Sequence, residues 1–244
     1  MKKWTPYISL DCEGQIWNIL PGYNNRILLE VRIESSEIQF YDVDVESGKH
    51  RRLPQTQVPW WSQAVFYAPP YLLVQEFSEE QNPDIVQLHL YKSGSLIWTK
   101  EGQRFDGFEE DALILKNNQG EKSRIKLEAY KDRTEFEFPW HYTEGEEYFS
   151  DVAKFLADTL SVHPVRAIDY YERDEAIVLA YYEKNANALK LSLLGLNDTG
   201  ETRLNVVIEK NISGLADPTF LVSKRNVIFV KEKRHFFVYR IADF

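Results

Sequence analysis

The chain has 244 residues, 43% hydrophobic and 14% aromatic, with a formal net charge of −9 at pH 7. That apolar content is enough for a buried core, and the single cysteine, Cys12, excludes an intramolecular disulfide. The only basic runs are His50-Arg51-Arg52 and Lys231 to Arg234; a nucleic-acid partner needs a concentrated basic face and is excluded.

Met1-Lys2-Lys3 is not followed by an uninterrupted apolar stretch, because Pro6, Asp11 and Glu13 break it. No later run is long enough to span a bilayer. A cytoplasmic location with no membrane partner is expected. Cys12 stands between Asp11 and Glu13, whose charges disfavour a thiolate, so no reactive thiol is expected.

The first strand-like segment is Trp4–Leu10. After it, five short apolar cores recur along the chain: Ile27-Leu28-Leu29, Leu72-Leu73-Val74, Leu113-Ile114-Leu115, Ile177-Val178-Leu179 and Val227-Ile228-Phe229. Each is followed by a run that alternates: Ile38 to Val45, Ile85 to Tyr91, Ile125 to Tyr130, Leu189 to Leu194 and Phe236 to Ile241. Turn residues close the first four, at Ser47-Gly48, Ser93-Gly94-Ser95, Lys131-Asp132-Arg133 and Asn197 to Gly200. A strand covered on both faces can be apolar throughout, whereas one nearer the rim keeps a wet face and alternates with period two. The second and third strands of a propeller blade differ in this way.

Flanking strands complete the units. Inner strands are expected at Gln15–Leu20, Gln63–Tyr67, Arg104–Phe108, Arg166–Tyr171 and Thr219–Ser223. Outer strands are expected at His50–Leu53, Leu96–Glu101, Glu135–Phe138 and Arg203–Ile208. The fifth unit lacks an outer strand, and Trp4–Leu10 is the candidate to fill its place, since a radial array must remove its exposed edges.

The interval between the third and fourth cores is the longest, and Glu147 to Leu160 within it has helical periodicity. Tyr148, Val152 and Phe155 fall on one face, with Phe149 and Leu156 beside them. Thr143 with Glu146 forms a capping-box pattern, and His163-Pro164 stops the helix.

These elements predict an all-β chain: one five-bladed β-propeller domain over residues 1–244, closed by the N-terminal strand and carrying one inserted helix at about 147–160. Its units run over about 11–54, 55–102, 103–142, 143–210, and 211–244 plus strand 4–10. A β-sandwich or two small β domains are the alternatives.

One segment carries a family resemblance. The strand and turn Phe40-Tyr41-Asp42-Val43-Asp44-Val45-Glu46-Ser47-Gly48-Lys49 resembles the hydrophobic–Tyr–Asp…Gly–Lys blade ending found among bacterial propeller families of unknown function. Leu90-Tyr91-Lys92-Ser93-Gly94-Ser95 follows it more loosely, and the later units depart from it. The resemblance implies a fold and brings no functional residues with it.

Two groups of residues are candidates for a site. Val58-Pro59-Trp60-Trp61 and Phe138-Pro139-Trp140-His141-Tyr142 lie in crossings between units. Trp60, Trp61, Trp140, His141 and Tyr142 offer large contact area at low side-chain entropy cost, which suits a protein partner or a sugar. Sealing of the crossings by the same tryptophans is the plainer reading. The second group is Asp106 and Asp169, at matching central places in inner strands, with Asp217 at the entrance to the fifth. Carboxylates in a propeller channel serve as acid and base in sugar-cleaving enzymes, or hold a hard cation.

No His pair has metal-ligand spacing, and no phosphate-loop, dinucleotide or nucleophile-elbow motif occurs. No cofactor and no metal are expected. The function expected is a non-enzymatic protein-interaction or scaffold role, with carbohydrate or small-ligand binding, or a glycosidase-like activity in the channel, as the alternative. Self-association through the helix is a third possibility.

Overall fold

In the computed structural model of the chain, the described residues are 3–34, 37–54, 57–78, 86–128, 136–173 and 176–241. The Lys131-Asp132-Arg133 turn and Glu135 lie outside them. The described residues form five separate antiparallel sheets and one helix, so the chain is all-β. It divides into two compact units, Cys12–Thr134 and Met1–Asp11 with Glu135–Phe244. No helix among the described residues is long and apolar enough to cross a membrane.

The chain starts with β1 (Thr5–Asp11), which belongs to the second of these units. The unit Cys12–Thr134 holds three sheets of consecutive strands. The first is β2 (Gln15–Pro21), β3 (Arg26–Ile33), β4 (Glu37–Asp44) and β5 (His50–Arg52); the second is β6 (Ser62–Ala68), β7 (Tyr71–Phe77), β8 (Val86–Lys92) and β9 (Ser95–Glu101). Among the described residues the third has β10 (Gln103–Glu109), β11 (Ala112–Asn117) and β12 (Lys122–Lys126). The apolar runs of β3, β7 and β11 are buried, as their composition requires. Leu28 and Phe40 of the first sheet pack with Ala64, Leu72 and Val74 of the second, and Leu73 and Leu88 of the second with Leu113 and Leu115 of the third.

Charge is also buried in this unit. Period two puts Glu30 and Arg32 of β3 on one face, and Glu30 is only 1% exposed. Its carboxylate accepts from the Ala64 N–H of the next sheet at 2.9 Å and from Arg32 at 2.8 Å. The Arg32 guanidinium also donates to the Trp60 and Ser62 carbonyls, and it lies 5.2 Å from the Trp17 ring and 4.9 Å from the Trp60 ring. A polar clamp thus joins the first two sheets beside their apolar interface.

The unit Met1–Asp11 with Glu135–Phe244 contains two sheets. One is five-stranded: β13 (Trp140–Thr143), β14 (Val165–Arg173), β15 (Ala176–Asn185), β16 (Ala188–Asn197) and β17 (Thr202–Ile212), with α1 (Glu147–Leu160) between β13 and β14 in sequence. The other is β18 (Leu221–Ser223), β19 (Asn226–Lys231) and β20 (His235–Arg240), with β1 beside β20. The N-terminal strand therefore takes the outer place left vacant in the last sheet. Trp4, just before it, donates its N–H to the Arg203 carbonyl at 3.0 Å, and its buried indole lies against Gly195 in β16.

Two expectations change here. Of the outer strand proposed for Glu135–Phe138, the described residues 136–138 are not part of the third sheet: Glu137 instead forms an isolated bridge with Val222 of β18. Its carboxylate pairs with Arg173 and accepts from the Tyr171 hydroxyl at 3.0 Å. Pro139 has no N–H to give to a ladder, which ends the segment there. Trp140 to Thr143 then form β13, an edge strand of the five-stranded sheet, at a place where a loop crossing was expected.

The helix has the predicted limits but docks through a different stripe. Phe149 and Leu156 are buried, with Val152, Ala153 and Leu160 packed beside them against Ile168, Leu179 and Leu194 of the sheet. That is an i, i+3, i+4, i+7 pattern. Tyr148 and Phe155 lie at the exposed margin. The capping box is also half formed: Glu146 is itself the N-cap, and its side chain reaches back to the Thr143 N–H at 2.7 Å. Ser161 ends the helix in the left-handed conformation at φ 57°, ahead of Pro164. Leu156→Ala is expected to cost about 2–5 kcal/mol, by lost transfer energy and a cavity that fixed sheet residues cannot fill. Urea unfolding followed by circular dichroism would measure it.

Candidate functional site

Strand β13 supplies most of the predicted site. Trp140, His141 and Tyr142 suit a pleated half-buried surface, and β13 pairs with β14 in the register Trp140↔Tyr170, His141↔Asp169, Tyr142↔Ile168. Because side chains alternate, this one register builds two different surfaces.

On one face the side chains are aromatic. Trp140 stacks with Tyr170, ring centres 6.3 Å apart, and Tyr142 with Tyr148 of α1 at 5.4 Å; Tyr142 and Tyr170 lie 6.4 Å apart. The rings form a continuous set, and Trp140 is 58% exposed and Tyr148 65%. Phe138 next to them is also exposed. Partial burial raises the Tyr142 pKa, helped by Tyr148 and the Glu146 charge. Burial and the hydrogen bond to Glu172 raise that of Tyr170. Glu147 and Asp151 of α1, Glu172 of β14, and Glu144 and Glu146 in the turn between β13 and α1 are all exposed.

On the other face the side chains are polar. His141 Nδ1 lies 2.6 Å from Asp169 Oδ1, and Asp169 Oδ2 accepts from the Thr219 N–H at 2.9 Å and the Thr219 hydroxyl at 2.6 Å. Asp169 is 1% exposed. Asp217, two residues before Thr219, completes a group in which one donor atom each from His141, Asp169 and Asp217 lie within 4.8 Å of one another. The Tyr182 hydroxyl accepts from the Ala216 N–H at 2.7 Å and so holds the segment that carries Asp217. Burial raises the Tyr182 pKa, with the Asp169 and Asp217 charges adding to it.

The remaining predicted residues lie in the unit Cys12–Thr134. Trp60 is half-buried against the core between the first two sheets and the Arg32 guanidinium. Trp61 is 38% exposed. Trp17, not singled out in the sequence, is 64% exposed; the alternation of β2, with Ile16 buried and Trp17 out, was the available signal. Asp106 is exposed and paired with Lys122 at 2.6 Å, which lowers its pKa. Its environment therefore differs from that of buried Asp169, although the two occupy matching strand positions. A pocket of about 100 Å³ lies among Arg51, Tyr67, Pro69, Pro70 and Tyr91, and none of the predicted site residues lines it.

No protein-family model and no curated protein matches this chain.

Proposed function

We propose that the chain is a non-enzymatic docking module built as a five-bladed propeller, and that it binds a basic, apolar segment of a protein partner on the aromatic surface of β13 and α1. The propeller reading rests on sheets made almost wholly of consecutive antiparallel strands and on β1 completing the sheet of β20. The docking reading rests on one observation, the run of neighbouring rings Trp140, Tyr170, Tyr142 and Tyr148, with Trp140 and Tyr148 exposed at its two ends. Rigid aromatic rings give up little entropy on binding and are enriched among residues that dominate interface energies. Carboxylates on the same elements favour a partner bearing Lys or Arg, with an attraction that salt weakens.

A random peptide library panned on the immobilised chain tests this. Basic peptides with aromatic or proline residues should be enriched, and they should not be enriched on Trp140→Ala. For a selected peptide, Trp140→Ala should cost about 2 kcal/mol, roughly thirtyfold in Kd, measured by titration calorimetry. Enrichment of acidic peptides, or equal enrichment on Trp140→Ala, would overturn the reading. Saturable quenching of tryptophan fluorescence by a soluble oligosaccharide, lost in Trp140→Ala, would replace it with sugar binding.

A further inference from the structure

The polar face of β13 poses an electrostatic problem. Asp169 is 1% exposed, yet among the described residues no Lys or Arg pairs with it; its partners are His141 and Thr219. A second carboxylate, Asp217, has its donor atom within 4.8 Å of that group and makes no hydrogen bond or ion pair among the described residues. A buried carboxylate is stable when it is paired or bound to a metal, and a second negative charge beside it makes that need greater. One imidazole is a weak answer to two carboxylates.

We propose that His141, Asp169 and Asp217 bind one divalent transition-metal ion, with Zn²⁺ as the reference cation. One nitrogen and two carboxylate oxygens from three separate segments are a donor set suited to zinc-like ions. Calcium would require six to eight oxygens, which this group does not supply. The 4.8 Å spread is wider than ligands around one ion require, and exposed Asp217 is the member free to close it. Thr219 acts as a positioning residue, since its N–H and hydroxyl hold Asp169 Oδ2 and leave Oδ1 towards His141. The docking surface formed by Trp140 and Tyr142 is on the opposite face of the strand, so this site does not depend on it.

The test uses the full chain freed of metal with a chelator, titrated with Zn²⁺ by calorimetry and probed with Co²⁺ by visible absorption. One equivalent of Zn²⁺ should bind per chain and raise the thermal midpoint. Asp217→Ala, an exposed change that leaves the fold intact, should abolish that binding, and His141→Ala should also remove the Co²⁺ band. Thr219→Val keeps the side-chain shape and should weaken Zn²⁺ binding by about tenfold. The proposal is overturned if no equivalent binds, if Asp217→Ala and His141→Ala bind as the parent does, or if Ca²⁺ binds as tightly as Zn²⁺.

Discussion

Glu30→Ala is expected to destabilise the unit Cys12–Thr134 by about 3–5 kcal/mol, because it leaves the Arg32 guanidinium and the Ala64 N–H without their buried partner. Arg32 side-chain exposure is only 11%, so water cannot readily replace the carboxylate. Urea unfolding of the full chain would measure the loss. A cost below about 1 kcal/mol would show that the clamp between the first two sheets is dispensable. Glu30→Gln separates charge from packing. Burial holds the Glu30 carboxyl above its ordinary value of 4.5, against the opposing effects of Ala64 and Arg32. The folded state therefore binds a proton more tightly than the unfolded chain. The stability linked to that proton is complete below pH 4.5 and is lost as pH rises through the folded pKa. The parent should accordingly lose stability relative to Glu30→Gln as pH is raised from about 4.5. A difference that moves the other way would mean that the native fold favours the carboxylate.

Trp4→Ala should cost a comparable amount, about 3–5 kcal/mol, although it lies outside every strand. Its indole is buried in the core shared by the five-stranded sheet and the sheet of β1, where Tyr182, Leu193, Phe220 and Phe229 also pack. The partner of that ring is an absence. Gly195 lies towards the end of β16, paired with Val178 on one side and Leu204 on the other, and a Cβ there would overlap the indole. Gly195→Leu alone should therefore be destabilising, by about 1–3 kcal/mol or more. In the double variant the two changes should not add, because removing the ring makes room for the leucine; a coupling of about 0.5–3 kcal/mol is expected. Additive effects would disprove the contact. Chemical denaturation of all four proteins completes the cycle.

Much of the local structure was legible in the sequence. The continuous apolar cores became the buried strands β3, β7, β11, β15 and β19, since a strand covered on both faces has no polar period to keep. The helix limits followed from Glu147 onward and from Pro164. The docked face of that helix did not. Tyr148, Val152 and Phe155 form as good a stripe as Phe149, Val152 and Leu156, and the sheet surface decides between them. The strand β13 was missed because Phe138-Pro139-Trp140 reads as a break, and a strand of four residues has too few positions to show a period.

The candidate site shows the same division. Trp140, His141, Tyr142, Asp169 and Asp217 each stood out in the sequence, but in two unrelated groups, an aromatic crossing and a set of carboxylates. The first four belong together because β13 pairs with β14 in one register, which sets His141 opposite Asp169 and the rings of Trp140 and Tyr170 side by side, and Asp217 joins them because Thr219 is bonded to Asp169. A shift of one residue would exchange the two faces. Composition and periodicity determined the all-β class, the helix and most strand positions, because those depend on neighbours a few residues away. Register, the docked helix face, the Glu30 clamp and the meeting of His141, Asp169 and Asp217 were decided by tertiary structure, because each depends on residues far apart in the chain.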